Sequence, residues 1–163
     1  MVNKRSNVLM IKEGDVEQLL CEWDDVPAWV KAHVSARRPA HRYEGELLLD
    51  DENLVLGGRD IKEGKYFELE ILLENITDVY VGFSEHLKAS IDPAFGIGGT
   101  VPFVVCYQNN GKSQTAYLNT TGDNYPAHRN INNRRWYEML SEIVTRYRRL
   151  KLEGMRHRVL VSV

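Results

Sequence analysis

The sequence predicts a mainly β domain closed by one C-terminal α-helix, an α+β chain forming a single unit over residues 1–163. Three observations carry this. Apolar residues recur with period two between Tyr43 and Phe83, an Asn110-Gly111 pair splits two apolar runs, and the period lengthens to 3.6 after Asn133.

Tyr43 to Leu49 and Asn53 to Leu56 flank Asp50-Asp51-Glu52, the pattern of two strands joined by an acidic turn. Gly57 to Asp60 and Lys62 to Lys65 read as turn-rich connections. Phe67-Glu68-Leu69-Glu70-Ile71 alternates strictly, which places Phe67, Leu69 and Ile71 on one face and both glutamates in water. The alternation breaks over Leu72 to Asp78 and resumes at Val79, Val81 and Phe83, as in a strand, a corner and a further strand. Residues 84–100 contain Asp92-Pro93 and Gly96-Ile97-Gly98-Gly99 and are expected to form the longest loop.

Val101 to Gln108 and Gln114 to Asn119 bracket Asn109 to Ser113, where Asn-Gly signals a hairpin because both residues tolerate positive φ. Thr120 to Asn133 reads as a polar connection. Trp136, Leu140, Ile143, Val144 and Tyr147 then make one apolar helical stripe, with Asn132 or Asn133 as N-cap. Residues 1–40 are an extension, a first strand or a helix: Asp15 to Trp23 and Pro27 to Ala36 each fit helix or strand. The tail over 150–163 ends in the apolar Val159 to Val163, suited to packing on the core, pairing with a strand edge or binding another chain.

A length of 163 residues, 43% hydrophobic and 27% charged, buries a core without disulfide or metal staples. The net charge of -2 gives no reason to expect nucleic acid as a partner. That small value hides an asymmetry. Residues 1–128 carry 12 Lys/Arg against 20 Asp/Glu, and residues 129–163 carry 9 against 3. Cys21 and Cys106 stand far apart with no metal-ligand spacing around them. The run Val8 to Ile11 is too short for a signal-peptide core, and no stretch approaches the roughly 18 apolar residues of a membrane span, so a cytoplasmic chain is expected.

Strand hairpins followed by one helix anchored on Trp136 resemble the pleckstrin-homology superfold, closest to its GRAM-type and bacterial PH-like members. The likeness lies in Gly45-Glu46-Leu47-Leu48-Leu49 with Asn53-Leu54-Val55-Leu56, in Leu73-Glu74-Asn75-Ile76-Thr77-Asp78-Val79, and in Trp136, and covers about residues 43–147. The resemblance implies a partly open barrel of two nearly orthogonal antiparallel sheets, capped by the helix through Trp136, Leu140 and Val144.

Phosphoinositide-binding members of that superfold carry Lys and Arg in the first hairpin. This chain carries Asp50-Asp51-Glu52 there, and three carboxylates repel phosphate. The remaining anionic-surface candidates are Arg146, Arg148, Arg149 and Lys151, although the helix macrodipole also favours cations near a C-terminus. Phe95, Ile97 and Phe103, with Pro102, are candidates for an apolar contact loop. Gly96 to Thr100 lacks the Gly-Lys-Ser/Thr ending of a phosphate loop, the five histidines show no metal-binding spacing, and no serine sits in a nucleophile elbow. No catalytic residue, cofactor or metal is nominated. The expected role is a non-enzymatic interaction module whose partner is another protein or a second copy. The alternatives are a peripheral domain on an anionic membrane, and a small-molecule-binding barrel or enzyme.

Overall fold

The computed structural model describes residues 4–15, 41–82, 101–121 and 126–161. Within them lie β1 (Lys4–Lys12), β2 (Tyr43–Leu49), β3 (Asn53–Asp60), β4 (Lys65–Leu72), β5 (Ile76–Val81), β6 (Phe103–Asn109), β7 (Lys112–Thr120) and α1 (Pro126–Val161), with a 3-10 turn at Leu73–Asn75. The strands form one antiparallel sheet in the order β4-β3-β2-β1-β7-β6-β5, curled into a half-barrel. The resemblance implies two sheets, whereas the hydrogen bonding here is continuous. β1 pairs with β2 over Lys4–Met10 and with β7 over Val8–Lys12, so one strand carries the ladder from one half to the other.

The turns follow their side chains. Asp50 Oδ1 accepts from the backbone N–H of Glu52 at 2.8 Å and Asn53 at 2.7 Å, closing the acidic β2–β3 turn from within. Asn110 (φ 51°) and Gly111 (φ 75°) both adopt positive φ between β6 and β7, as the Asn-Gly pair predicts. The corner after β4 is the 3-10 turn, pinned by the Leu73 N–H to Glu52 O at 2.9 Å and by the fully buried Leu73 side chain. The expected loop over 84–100, Phe83 and the segments Val16 to Ala40 lie outside the described residues.

Two expectations are corrected. β3 does not end at Leu56 but continues through Asp60, because Gly45 and Gly58 face each other across the ladder. A Cβ on Gly45 would sit 2.1 Å from Gly57 O, and one on Gly58 2.0 Å from Glu44 O, so the backbones approach more closely than any side chain permits. Of the readings open for residues 1–40, Val8 to Ile11 take that of a first strand, β1, at the centre of the sheet. Val8 and Met10 join the main core while Leu9 and Ile11 are buried on the opposite face, and a strand covered on both sides carries a continuous apolar run instead of alternation.

The helix is the second correction, since it starts at Pro126 and runs through Val161, taking in the latter part of the expected connection and most of the expected tail. Asn133 is not its N-cap. The residue is fully buried inside α1, where its Oδ1 accepts from Thr120 N–H at 2.8 Å and Thr120 Oγ1–H at 3.0 Å, and its Nδ2 donates to Val101 O at 2.8 Å and Asn119 Oδ1 at 3.1 Å. Its amide is thus satisfied four times, as burial demands. Arg129 Nε, also buried, donates to Thr120 O at 3.1 Å.

One turn on, Trp136 stacks on Phe103 at 5.9 Å between centroids and donates its Nε1–H to Ser6 Oγ at 3.0 Å, tying the helix to β6 and β1 together. Leu140, Ile143 and Val144 complete the buried stripe. The enclosed space left between Met10, Leu47, Leu56 and Leu118 is about 10 Å³, and its lining is entirely apolar. Trp136→Ala should therefore cost about 3–5 kcal/mol, read from urea unfolding.

At the far end of the half-barrel, Arg42 bridges two carboxylates. Its Nη1 donates to Asp15 Oδ1 at 2.7 Å and its Nη2 to Asp60 Oδ2 at 2.8 Å. Asp60 Oδ1 also accepts from the N–H groups of Lys62 and Glu63, so one carboxylate fixes both the end of β3 and the turn after it. The Arg42 guanidinium chiefly, and those backbone bonds, hold the Asp60 carboxyl below the usual carboxylate range against the opposing effect of burial. A carboxyl with a depressed folded-state value contributes stability above its unfolded value near 3.8 and loses it as pH falls toward the folded value. Asp60→Asn should cost roughly 3 kcal/mol near neutral pH, with the deficit against wild type shrinking in chemical denaturation below about pH 4.

Candidate interaction surface

The helix outlasts the sheet beneath it. At 1.5 Å per residue α1 is roughly 54 Å long, yet its last buried side chain is Val144 and its last half-buried one Tyr147. Two tethers follow. Arg148 Nη2 donates to Ile76 O and, at 3.3 Å, to Thr77 O, and Lys151 Nζ donates to Glu74 Oε2 at 2.7 Å. The Glu74 carboxylate raises the Lys151 pKa. Both bonds fasten α1 to the 3-10 corner and the start of β5. Beyond them Leu152 to Arg156 and Arg158 are all exposed.

Exposed Leu152 and Met155, three residues apart, share one flank of this overhang, and exposed Leu150 lies on the other. Around them residues 145–161 carry six cations and one carboxylate.

The four nominated cations divide accordingly. Arg148 and Lys151 are engaged within the chain, whereas Arg146 and Arg149 face solvent together with Arg156. Arg146 lines an open groove of about 370 Å³ with Asp51, Ile143, Tyr147 and Leu150. Of the contact-loop candidates, Phe95 and Ile97 lie outside the described residues. Phe103 is corrected: it opens β6, is fully buried and stacks on Trp136, so it belongs to the core and not to a contact loop.

The chemistry of the other candidates is quiet. Burial pushes the Cys106 thiol up, only partly opposed by its contact with Thr115 Oγ1, which disfavours the thiolate a nucleophile needs. Among the described residues no group of three or more His, Cys, Asp or Glu is placed to hold a metal ion, and no helix is long and apolar enough to cross a membrane.

Sequence reasoning passed over one surface, the outer face of β2–β4. Glu46, Gly57 and Glu68 stand in register across it, followed by Leu48, Val55 and Glu70. Tyr66 is 74% exposed there, and its hydroxyl donates to Glu68 Oε2 at 2.9 Å, which raises the phenol pKa. The available signal was the alternation Tyr66-Glu68-Glu70, whose polar positions were assigned to water and taken no further.

Compared with protein-family models and with curated proteins, the chain matches none. Because no described side chain from Leu152 to Arg156 is buried, deleting residues 152–163 should leave the thermal midpoint within a few degrees of wild type, on the order of 1 kcal/mol or less, by calorimetry.

Proposed function

We propose that this protein is a non-enzymatic, PH-like interaction module of the cytoplasm that engages an acidic protein surface through the exposed C-terminal end of α1. The observation carrying this is the basic overhang, with Leu152 and Met155 exposed among its arginines beyond the last tether, Lys151 to Glu74. The order of strands, the single capping helix and the buried tryptophan support the PH-like part of the reading. The apolar space between Met10, Leu47, Leu56 and Leu118 is about 10 Å³, far below the roughly 300 Å³ of a small-molecule pocket, so this part of the interior supports a surface function over an internal ligand site.

The anionic-membrane alternative draws on the same cations. Engagement of Arg148 and Lys151 by the chain itself weakens it, as does the acidic outer face of β2–β4, which an anionic surface repels.

Cross-linking of the full chain in its native cell, compared with the variant R149E/R156E, tests the reading. A discrete adduct that the variant loses is the expected result, and background alone overturns it. Pelleting with phosphatidylserine vesicles at low salt, absent in the variant, would transfer the assignment to a membrane.

A further inference from the structure

We propose that the acidic partner of the overhang is a second copy of this chain, the end of α1 in one molecule lying on the outer face of β2–β4 in the other. This rests on the interaction-module reading and specifies its partner. Both complementary surfaces are present on one chain, and among the described residues no hydrogen bond or ion pair joins them. Leu152 and Met155 are 59% and 56% exposed and Tyr66 is 74% exposed, so neither surface is covered by its own molecule.

The receiving face is net acidic. Gly57 stands between Glu46 and Glu68 in the ladder, so these two carboxylate positions lie about 10 Å apart, two strand spacings, with Val55 and Arg59 on either side of the glycine along β3. Glu46 is held by Arg5 at 3.4 Å, which leaves Glu68 and Glu70 as the carboxylates that meet a partner's cations. The Tyr66 hydroxyl lies 3.2 Å from where a Cβ on Gly57 would stand, so this side chain covers the glycine and offers an exposed ring on which a guanidinium stacks. Arg149 and Arg156, two turns apart on one helix face, supply the cations, and Leu152 and Met155 supply apolar contact toward Val55 and Leu48.

Charge selects this arrangement over pairing of two overhangs. Helix ends carrying six cations and one carboxylate each repel one another, whereas each is attracted to the glutamates of β2 and β4. Two such contacts related by a two-fold axis close a dimer, because every molecule offers one helix end and one seat. An overhang roughly 20 Å long, used twice, buries on the order of 1,000 Å² in total, which places the dimer at the weak, salt-sensitive end of specific association.

The test is a charge exchange followed by sedimentation equilibrium of the purified full chain at low and high salt. Wild type should dimerise at micromolar to submillimolar concentration and dissociate as salt rises. E68K/E70K and R149E/R156E, all four positions exposed, should each weaken the dimer at least tenfold while keeping the far-ultraviolet circular dichroism of wild type. An equimolar mixture of the two variants should recover the dimer, since each then offers the other a complementary helix and seat. A wild type that stays monomeric throughout, or a mixture that fails to associate, overturns the proposal. A monomeric wild type whose cross-links in the cell reach a different protein would sink self-recognition alone and leave the interaction module standing.

Discussion

The structure depends on the seating of one face of α1, where Asn133 and Trp136 bind three strands that are remote in sequence. Asn133 fastens the end of β7 and the approach to β6, while Trp136 spans Phe103 on β6 and Ser6 on β1. These contacts are demanding because both residues bring polar atoms into the interior. A buried amide or indole N–H is tolerated only when its partners stand within hydrogen-bonding distance, so any slip of the helix leaves them unsatisfied. Register between helix and sheet is thereby set by polar groups, and the aliphatic stripe of Leu140, Ile143 and Val144 adds burial to a position already chosen.

Fixing the helix in this way fills the half-barrel with apolar side chains. Among the described residues, Leu47, Leu49, Leu54, Leu56 and Ile71 meet Phe103, Val105 and Leu118 inside and pack as one core. What varies over the surface is charge. The outer face of β2–β4 carries Glu44, Glu46, Glu68 and Glu70 against Arg59, with Arg5 paired to Glu46, the far end of α1 is basic, and a net charge of -2 conceals the difference. Segregation on this scale governs encounter and orientation more than fold stability.

The legible parts of the fold were those whose signal is local. An Asn-Gly turn needs only its own two residues, and the alternation of Phe67, Leu69 and Ile71 needs only one wet face, so both were read correctly. The misreadings share a cause in long-range contact. Gly57 and Gly58 read as a turn because glycine usually marks one, and only the approach of Gly45 on the neighbouring strand requires them within β3. Asn133 looked like a cap because asparagine commonly is one, yet its partners lie on Val101, Asn119 and Thr120. Of the candidate surface, the four cations were named from sequence, but the division into tethering and free ones depends on where Glu74 and the Ile76 carbonyl fall.

That division also explains why the helix continues past its sheet. If α1 merely capped the barrel, it would have no reason to extend after Tyr147, the last side chain that packs on the core. The positions that continue its sheet-facing stripe are Lys151, Gly154 and Arg158, none of which extends the apolar pattern, and glycine inside a helix costs about 1 kcal/mol relative to alanine. Arg148 and Lys151 fasten the helix at the point where packing ends, before Leu152 and Met155 emerge into solvent. A helix end anchored at its base pays less ordering entropy on binding than a mobile tail does, because its direction is already set. Leu152 and Met155 thus gain nothing from their own core, and the proposed contact with another surface is what would give them a partner.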